Sequence, residues 1–374
     1  MLKIIVIGAG ILGSSTAYHL VKSGADVTLI DRNDLGQATD AAAGIVCPWL
    51  SQRRNQAWYQ LAKNGAKYYP TLIDQLELDG ETETGYKQVG AISIRNEQDK
   101  LMKMQERAIK RREDAPEIGE IKLLNEQETK DMFPPLADGF RAVHISGAAR
   151  VDGRALRNAM QRASIKNGAT FIKGDAHLVH NKTKVTGVTI NKQTIYADMV
   201  IVTTGVWANE TIKQLGLEFH VEAQKAQIVH LQLPGVDTST WPVVMPPSDH
   251  YLLSFANGRI VAGATHENNL GLDYRVTPVG LKEVFEKALH IAPGLANSTV
   301  LETRVGFRPV TPGFLPVFGA IPEYQGIMVA NGLGSSGLTS GPYIGSELAK
   351  LALGQEVDID SSLYPVEGAL SELK

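Results

Sequence analysis

The chain has 374 residues, 43% of them apolar and 21% charged, with a formal net charge of −3. That length allows about two domains with cores of their own, in a composition ordinary for a globular protein, and the near-neutral balance gives no electrostatic pull toward nucleic acid or an anionic membrane. A single cysteine, Cys47, excludes an internal disulfide and any cysteine cluster for zinc or iron–sulfur, and it suits a reducing cytoplasm.

The opening "MLKIIVIGAGILGSSTAYHLV" has the length of an export signal but lacks a basic leading region. Its glycines have a better use. "KIIVI" (3–7) predicts a buried parallel strand, 12–23 a helix, and "DVTLID" (26–31) a second strand. Between strand and helix lies G-x-G-x-x-G. Gly8 permits the tight turn, Gly10 leaves room for a pyrophosphate, and Gly13 lets helix and strand pack closely, with Ile11 and Leu12 at the helix N-terminus facing the phosphates. Asp31 ends the second strand where a carboxylate accepts from ribose hydroxyls, and Arg32 follows it. "GQATDAAAG" (36–44) is a run of small residues that lets backbone approach a ligand.

Farther on, the pattern predicts a long helix over 56–78, strands over 88–95, and a helix over 97–113 whose "KRRE" is a solvated face. Turns rich in Pro and Gly follow around 133–153, then helix and strand over 152–174. A hairpin over 185–205 leads into the buried strand "MVIVTTG". From 220 to 310 short strands dominate, with one helix near 278–291. Strand and turn over 326–334 and a helix over 340–353 close the pattern. No apolar run reaches the about 18 residues of a membrane-spanning helix, and no hydrolase elbow, zinc-protease motif or phosphate-binding P-loop is present. With α/β segments at the start, middle and end, one discontinuous nucleotide domain carries a second, β-rich domain inserted into it.

The last glycine-rich stretch, "GLGSSGLTSGPYIG" (332–345), raises a question of economy. A nicotinamide dinucleotide needs one glycine turn. A longer cofactor with a separate ring needs two: the first for the diphosphate, the last for an isoalloxazine whose N1–C2=O edge becomes negative on reduction and suits a helix N-terminus. "VTTGVWAN" (202–209) is small enough to pass beside it. The cofactor read from these turns is FAD.

Together "VIGAGILGSSTAYHL", "DAAAG", "TTGVWAN", "GRIVAGAT" (258–265), "RVGFRPVTPGFLPVFG" (304–319) and "GLGSSGLTSGPYIG" resemble the D-amino acid oxidase family of flavoproteins, in its glycine oxidase and D-amino acid dehydrogenase-like branch. The resemblance covers nearly the whole chain. It implies an α/β fold in which a Rossmann-like FAD-binding domain (1–84, 147–218 and 311–374) interleaves with a substrate domain (85–146 and 219–310) built on a mixed, mainly antiparallel sheet. It implies that Arg308 grips a substrate carboxylate and that Tyr251 contacts the same group. Thr39, Ala43, Gly44 and Ile45 then meet the diphosphate and flavin, and His177, Thr204, Gly205 and Trp207 join the cofactor residues. Gly332, Leu333, Gly334, Ser335, Ser336, Gly337 and Leu338 close over the flavin, while Trp49 and Leu333 line the substrate pocket. Arg304 is read as structural, and so are His250 and His266.

Three positions depart from the family pattern. Asp40 stands where serine is common, Leu333 replaces an aromatic residue or histidine, and Ser335 sits where glycine oxidases carry arginine. Some relatives attach flavin to a cysteine in the segment around Arg304 to Arg308; none stands there, so FAD is expected to be non-covalent. The implied activity is oxidation of the C–N bond of a small amino acid (glycine, sarcosine, proline or a D-amino acid) by hydride transfer to flavin N5. The resulting imine hydrolyses to an oxo acid, and oxygen or another acceptor reoxidises the flavin. A 2-hydroxy acid flavoenzyme and a non-catalytic FAD-binding subunit are the alternatives. No metal or nucleic-acid partner is expected, a homo-oligomer is compatible with these features, and the expected location is the cytoplasm.

Overall fold

The computed structural model describes residues 1–373 of the chain. Its first layer grows from the β-branched run at the start: Ile4 to Ile7 are all buried in the strand Lys3–Ile7, which pairs in parallel with Asp26–Asp31 on one side and Met199–Val202 on the other. The complete six-stranded sheet runs 317–320, 327–331, 199–202, 3–7, 26–31, 170–173, with only the outer strand Val317–Ala320 antiparallel. Strands buried on both faces need apolar residues at successive positions. Helices Ile11–Lys22 and Gly337–Ala352 cover one face through Leu12, Leu20, Ile344 and Leu348. The hairpin strands His177–Asn181 and Lys184–Ile190 cover the other with Leu178, Val188 and Ile190.

The second layer is an eight-stranded sheet in the order 299–310, 222–232, 259–263, 251–254, 243–245, 91–95, 141–145, 121–124. One neighbouring pair, Ala91–Arg95 beside Val243–Met245, is parallel and the rest are antiparallel. Helix Pro278–Ile291 packs its Val284, Ala288 and Ile291 on one face. The other face looks toward the first sheet, and the cavity between the sheets is the candidate site.

Three sequence expectations change. The stretch 220–310, read as mostly short strands, holds the two longest strands among the described residues, Glu222–Gln232 and Thr299–Val310. The tract 133–153 contains the strands Arg141–Ile145 and Ala149–Arg150 rather than turns alone. Ala142, Val143 and Ile145 are all buried, so the alternation that marks a half-exposed strand is missing. The last helix begins at Gly337, not 340. Glycine disfavours helix interiors by roughly 1 kcal/mol, but here it permits contact: a Cβ on Gly345 would lie 2.6 Å from the Ser15 side chain, and one on Gly65 of helix Gln56–Leu78 would lie 2.2 Å from the Thr339 carbonyl oxygen. Tertiary packing overrides propensity at these positions. Among the described residues no helix is long and apolar enough to cross a membrane.

Candidate active site

The N-terminal turn is built by three glycines with separate tasks. Gly8 has φ +97°, and a Cβ there would sit 2.6 Å from the Thr203 carbonyl oxygen. A Cβ on Gly13 would sit 1.8 Å from the Gly8 carbonyl oxygen, so this glycine lets helix and turn pack. Gly10 is different: the nearest atom to its Cβ position is Thr39 Oγ1 at 3.5 Å. Nothing in the protein requires glycine there, and its bare Cα faces open space.

Asp31 holds the turn as much as it faces the cavity. Its carboxylate accepts from the Ala9 N–H at 2.5 Å and from Gln37 Nε2 at 3.1 Å. Ile11 donates its N–H to Thr39 Oγ1 at 3.0 Å. Arg32 ion-pairs with Asp34 and Glu210, each at 2.7 Å. The carboxylate of Asp40, the departure noted above, is taken by Arg157 at 2.5 Å.

A cavity of about 750 Å³ runs from Asp31 and Gly174 past this turn to the antiparallel sheet. Gly8, Gly10, Ile11, Leu12, Arg32, Thr39, Ala43, Gly44 and Ile45 line one side; Thr204, Gly205 and Trp207 line another, with Gly332 to Ser335, Gly337 and Leu338 beyond. Four expected residues stand off its wall. Gly13 lies behind the turn. Ser336 faces Trp58, whose Nε1–H donates to its hydroxyl at 2.9 Å. Trp49 is 1% exposed and belongs to the apolar core, and its carbonyl accepts from Arg111 at 2.6 Å. His177 points to solvent, because its neighbours Ala176 and Leu178 turn inward.

The lining fits FAD on its own geometry. The bare Gly10 offers space for a pyrophosphate. Thr204 Oγ1 is buried with no partner, which is costly unless a bound group supplies one. Gly205 and Gly334 have positive φ and nothing within 4 Å of their Cβ positions, so their backbones present open edges. The turn 332–336 feeds the N-terminus of helix Gly337–Ala352, whose first N–H groups have no partner within the helix.

At the far end, Tyr251 and Arg308 meet. Tyr251 pairs across strands with Gly263, and its hydroxyl lies 2.7 Å from where a Gly263 Cβ would be. That glycine makes room for the phenol. Arg308 sits opposite Gln224, and its Nη1 donates to Gln224 Oε1 at 3.0 Å and to the Thr265 carbonyl at 3.3 Å. Among the described residues no carboxylate lies within 4 Å of its guanidinium. Burial lowers the Arg308 pKa, opposed by the nearby Tyr251 and Asp249. Burial also pushes the Tyr251 phenol up to about 12, so it remains a proton donor. Arg304, in contrast, is satisfied by Glu302 at 2.5 Å and the Asp40 carbonyl at 3.0 Å.

One cluster was not legible from pattern. Asp249 bridges His250 Nδ1 at 3.0 Å and His266 Nδ1 at 3.2 Å, and all three line the cavity. Burial lowers both imidazole pKa values. The available signal was position: each histidine adjoins a segment carrying a site residue, one before Tyr251 and one after "GAT". Arg95 and Met245 also line the cavity and were missed. Cys47 is buried off that wall, its thiol pushed by burial up to about 12. Among the described residues no group of three or more His, Cys, Asp or Glu side chains, the Asp249, His250 and His266 cluster included, is arranged to hold a metal ion.

Known proteins resemble the chain in sequence and in fold. The family model described as DAO, FAD dependent oxidoreductase, matches residues 3–351. An uncharacterized oxidoreductase, YurR, of Bacillus subtilis (strain 168) is 64% identical over 372 residues, covering 99% of this chain and 100% of that one. A glycine oxidase of Pseudomonas aeruginosa is 29% identical, covering 98% of this chain and 99% of its own length. The crystal structure of an iminodiacetate oxidase from Chelativorans sp. BNC1 superposes with a TM-score of 0.94 at 46% identity, covering 97% of this chain and 98% of that one.

Proposed function

We propose, because the chain belongs to the family of FAD-dependent oxidoreductases, that it oxidises the C–N bond of a small amino acid to an imine that water hydrolyses to an oxo acid. FAD is its cofactor and it is an oxidoreductase. The carrying observation is Arg308: a largely enclosed guanidinium without a carboxylate partner, in the same cavity as both glycine turns. Taking a cation out of water without an anion is costly. A substrate carboxylate supplies that anion through two parallel bonds. A subunit that only stored FAD would need no such clamp. The relatives acting on glycine and iminodiacetate support a C–N bond as the one oxidised.

When bound, FAD supplies a two-electron acceptor for the hydride leaving the substrate Cα. The chain does the rest. Arg308 and the Tyr251 phenol hold the carboxylate, fixing which face of Cα points into the trough. Gln224 and the Thr265 carbonyl hold the guanidinium plane. The reacting amine must be neutral, and the cationic Arg308 beside it disfavours a bound ammonium. The Gly332–Leu338 segment and the apolar Leu333 and Met245 keep bulk water off the reacting carbon. Oxygen or another acceptor then takes the electrons.

Arg308→Lys tests this reading. Lysine keeps the charge and loses the planar fork. The expected loss in kcat/KM is about thirty- to a thousandfold, on the order of 2–4 kcal/mol, for carboxylate substrates only, with flavin content near wild type. Loss of flavin or folding would instead make Arg308 a brace for the "RPVTPG" turn.

A further inference from the structure

Besides Arg32 and Arg308, the cavity is lined by a third guanidinium that the chemistry above does not use. Arg95 closes the strand Ala91–Arg95. Ile92 and Ile94 enter the core under helix Pro278–Ile291, so the alternate residues Ser93 and Arg95 face the cavity. Arg95 is only 8% exposed. Its contacts are neutral and all made by Nη1: the Ile94 carbonyl at 2.6 Å, and the Met245 carbonyl and Ser93 hydroxyl at 3.4 Å. Among the described residues no carboxylate lies within 4 Å of it. The acidic Glu97 nearby is exposed and paired with Lys100 at 2.6 Å. Arg107 adds positive charge, and its Nε is itself buried without a partner.

Strand register puts this group on the same face as the carboxylate clamp. A row across the sheet runs Arg304, Ile228, Gly263, Tyr251, and the next row runs Leu252, Val244, Ile92. Ser93 therefore shares the row of Tyr251. Strands Thr299–Val310 and Ala91–Arg95 run in the same direction. Arg308 lies four residues beyond Arg304 and Arg95 two beyond Ser93, both even steps in the same sense. Both arginines emerge from one face and toward one end of the sheet. Five strand spacings of roughly 4.8 Å separate their backbones, and the guanidiniums hold to different groups, Gln224 and the Thr265 carbonyl for Arg308, the Ile94 and Met245 carbonyls for Arg95, so they stand at separate points of one cavity.

We infer that Arg95 binds a second substrate carboxylate and that the preferred substrate is an amino dicarboxylate; this rests on the amino acid oxidation proposed above. One carboxylate sits on Arg308 and Tyr251. The other reaches Nε and Nη2 of Arg95, the nitrogens that make none of its protein contacts. Arg95 thus selects against glycine, which would leave it unpaired in the closed site.

The test compares wild type with Arg95→Gln and Arg95→Lys as FAD-loaded enzymes. Anaerobic flavin bleaching is followed with iminodiacetate, D- and L-aspartate and D- and L-glutamate, each against glycine and sarcosine. The arms separate a second carboxylate on the nitrogen substituent from one on the side chain. Wild type is expected to prefer one dicarboxylate series at least tenfold in kcat/KM. Arg95→Gln should lose ten- to a thousandfold on that series, mainly in KM, and at least tenfold more than on the matching monocarboxylate; Arg95→Lys should recover part. A second readout needs no turnover: perturbation of the flavin spectrum by glutarate against butyrate. Tight glutarate binding lost in Arg95→Gln supports the inference even if no amine is oxidised, an outcome that would sink the proposed reaction alone. Amine turnover without dicarboxylate preference, or equal losses on both series in Arg95→Gln, overturns the inference and leaves the reaction standing.

Discussion

Gly10 and Gly13 belong to one motif but stand in opposite surroundings, one open and one packed. Gly10 has φ −67°, which any residue tolerates, and open space at its Cβ position. Gly10→Val is therefore expected to fold, with an apo melting temperature close to that of wild-type apoprotein, and to purify without FAD. Absorbance near the flavin bands and a thermal melt check both halves, and full flavin content would place the diphosphate elsewhere. Gly13→Ala should fail differently. Its methyl would lie 1.8 Å from the Gly8 carbonyl oxygen, so stability should fall by about 1–3 kcal/mol along with flavin. The motif already separated the two roles in the sequence, and the surroundings add the geometry: open space at Gly10 and a backbone oxygen against Gly13.

Helices Ile11–Lys22 and Gly337–Ala352 pack side by side, and each carries one glycine turn at its N-terminus. Their spacing is set by small residues: Gly345 against Ser15, whose hydroxyl donates to the Pro342 carbonyl at 2.7 Å. The distance between the two glycine turns, proposed to hold diphosphate and flavin, is thereby coupled to this contact. Gly345→Val should push the helices apart, cost about 1–3 kcal/mol in denaturant unfolding, and lower FAD occupancy although residue 345 lines no part of the cavity. Normal occupancy in a destabilised variant would uncouple helix spacing from the cofactor site. The helix pattern was readable at 340–353, but its first turn was not, because Gly337 argues against helix until the packing is seen.

For the whole molecule, the trough proposed to hold FAD joins residues near 8–45, 203–207 and 332–338. These segments meet only in the folded chain. A ligand bound to them favours the folded state by about 2.7 kcal/mol when present at a hundred times its Kd. Holoprotein should accordingly melt above apoprotein, with the gap growing as FAD is added. Cys47 is buried off the trough with an inert thiol, so acid denaturation and filtration should send the yellow colour into the filtrate. Colour retained on the polypeptide would establish a covalent link at another side chain.

What the sequence determined alone was local and periodic: the glycine turn between two β-branched runs, the second turn that called for a longer cofactor, the absence of a cysteine near Arg308, and the order of α/β and β-rich segments. These depend on residues close together in the chain, where spacing and backbone geometry are tied. What the tertiary structure decided was orientation and convergence. Period-two alternation says that His177 and Leu178 face opposite ways, not which of them meets the core. Trp49 follows the small-residue run yet enters the apolar core, and Ser336 lies inside the flavin turn yet turns to Trp58. Arg95 and Arg308 stand more than two hundred residues apart and share a face only through the register of strands between them. No local pattern encodes that register; it follows from the burial of both faces of the sheet at once.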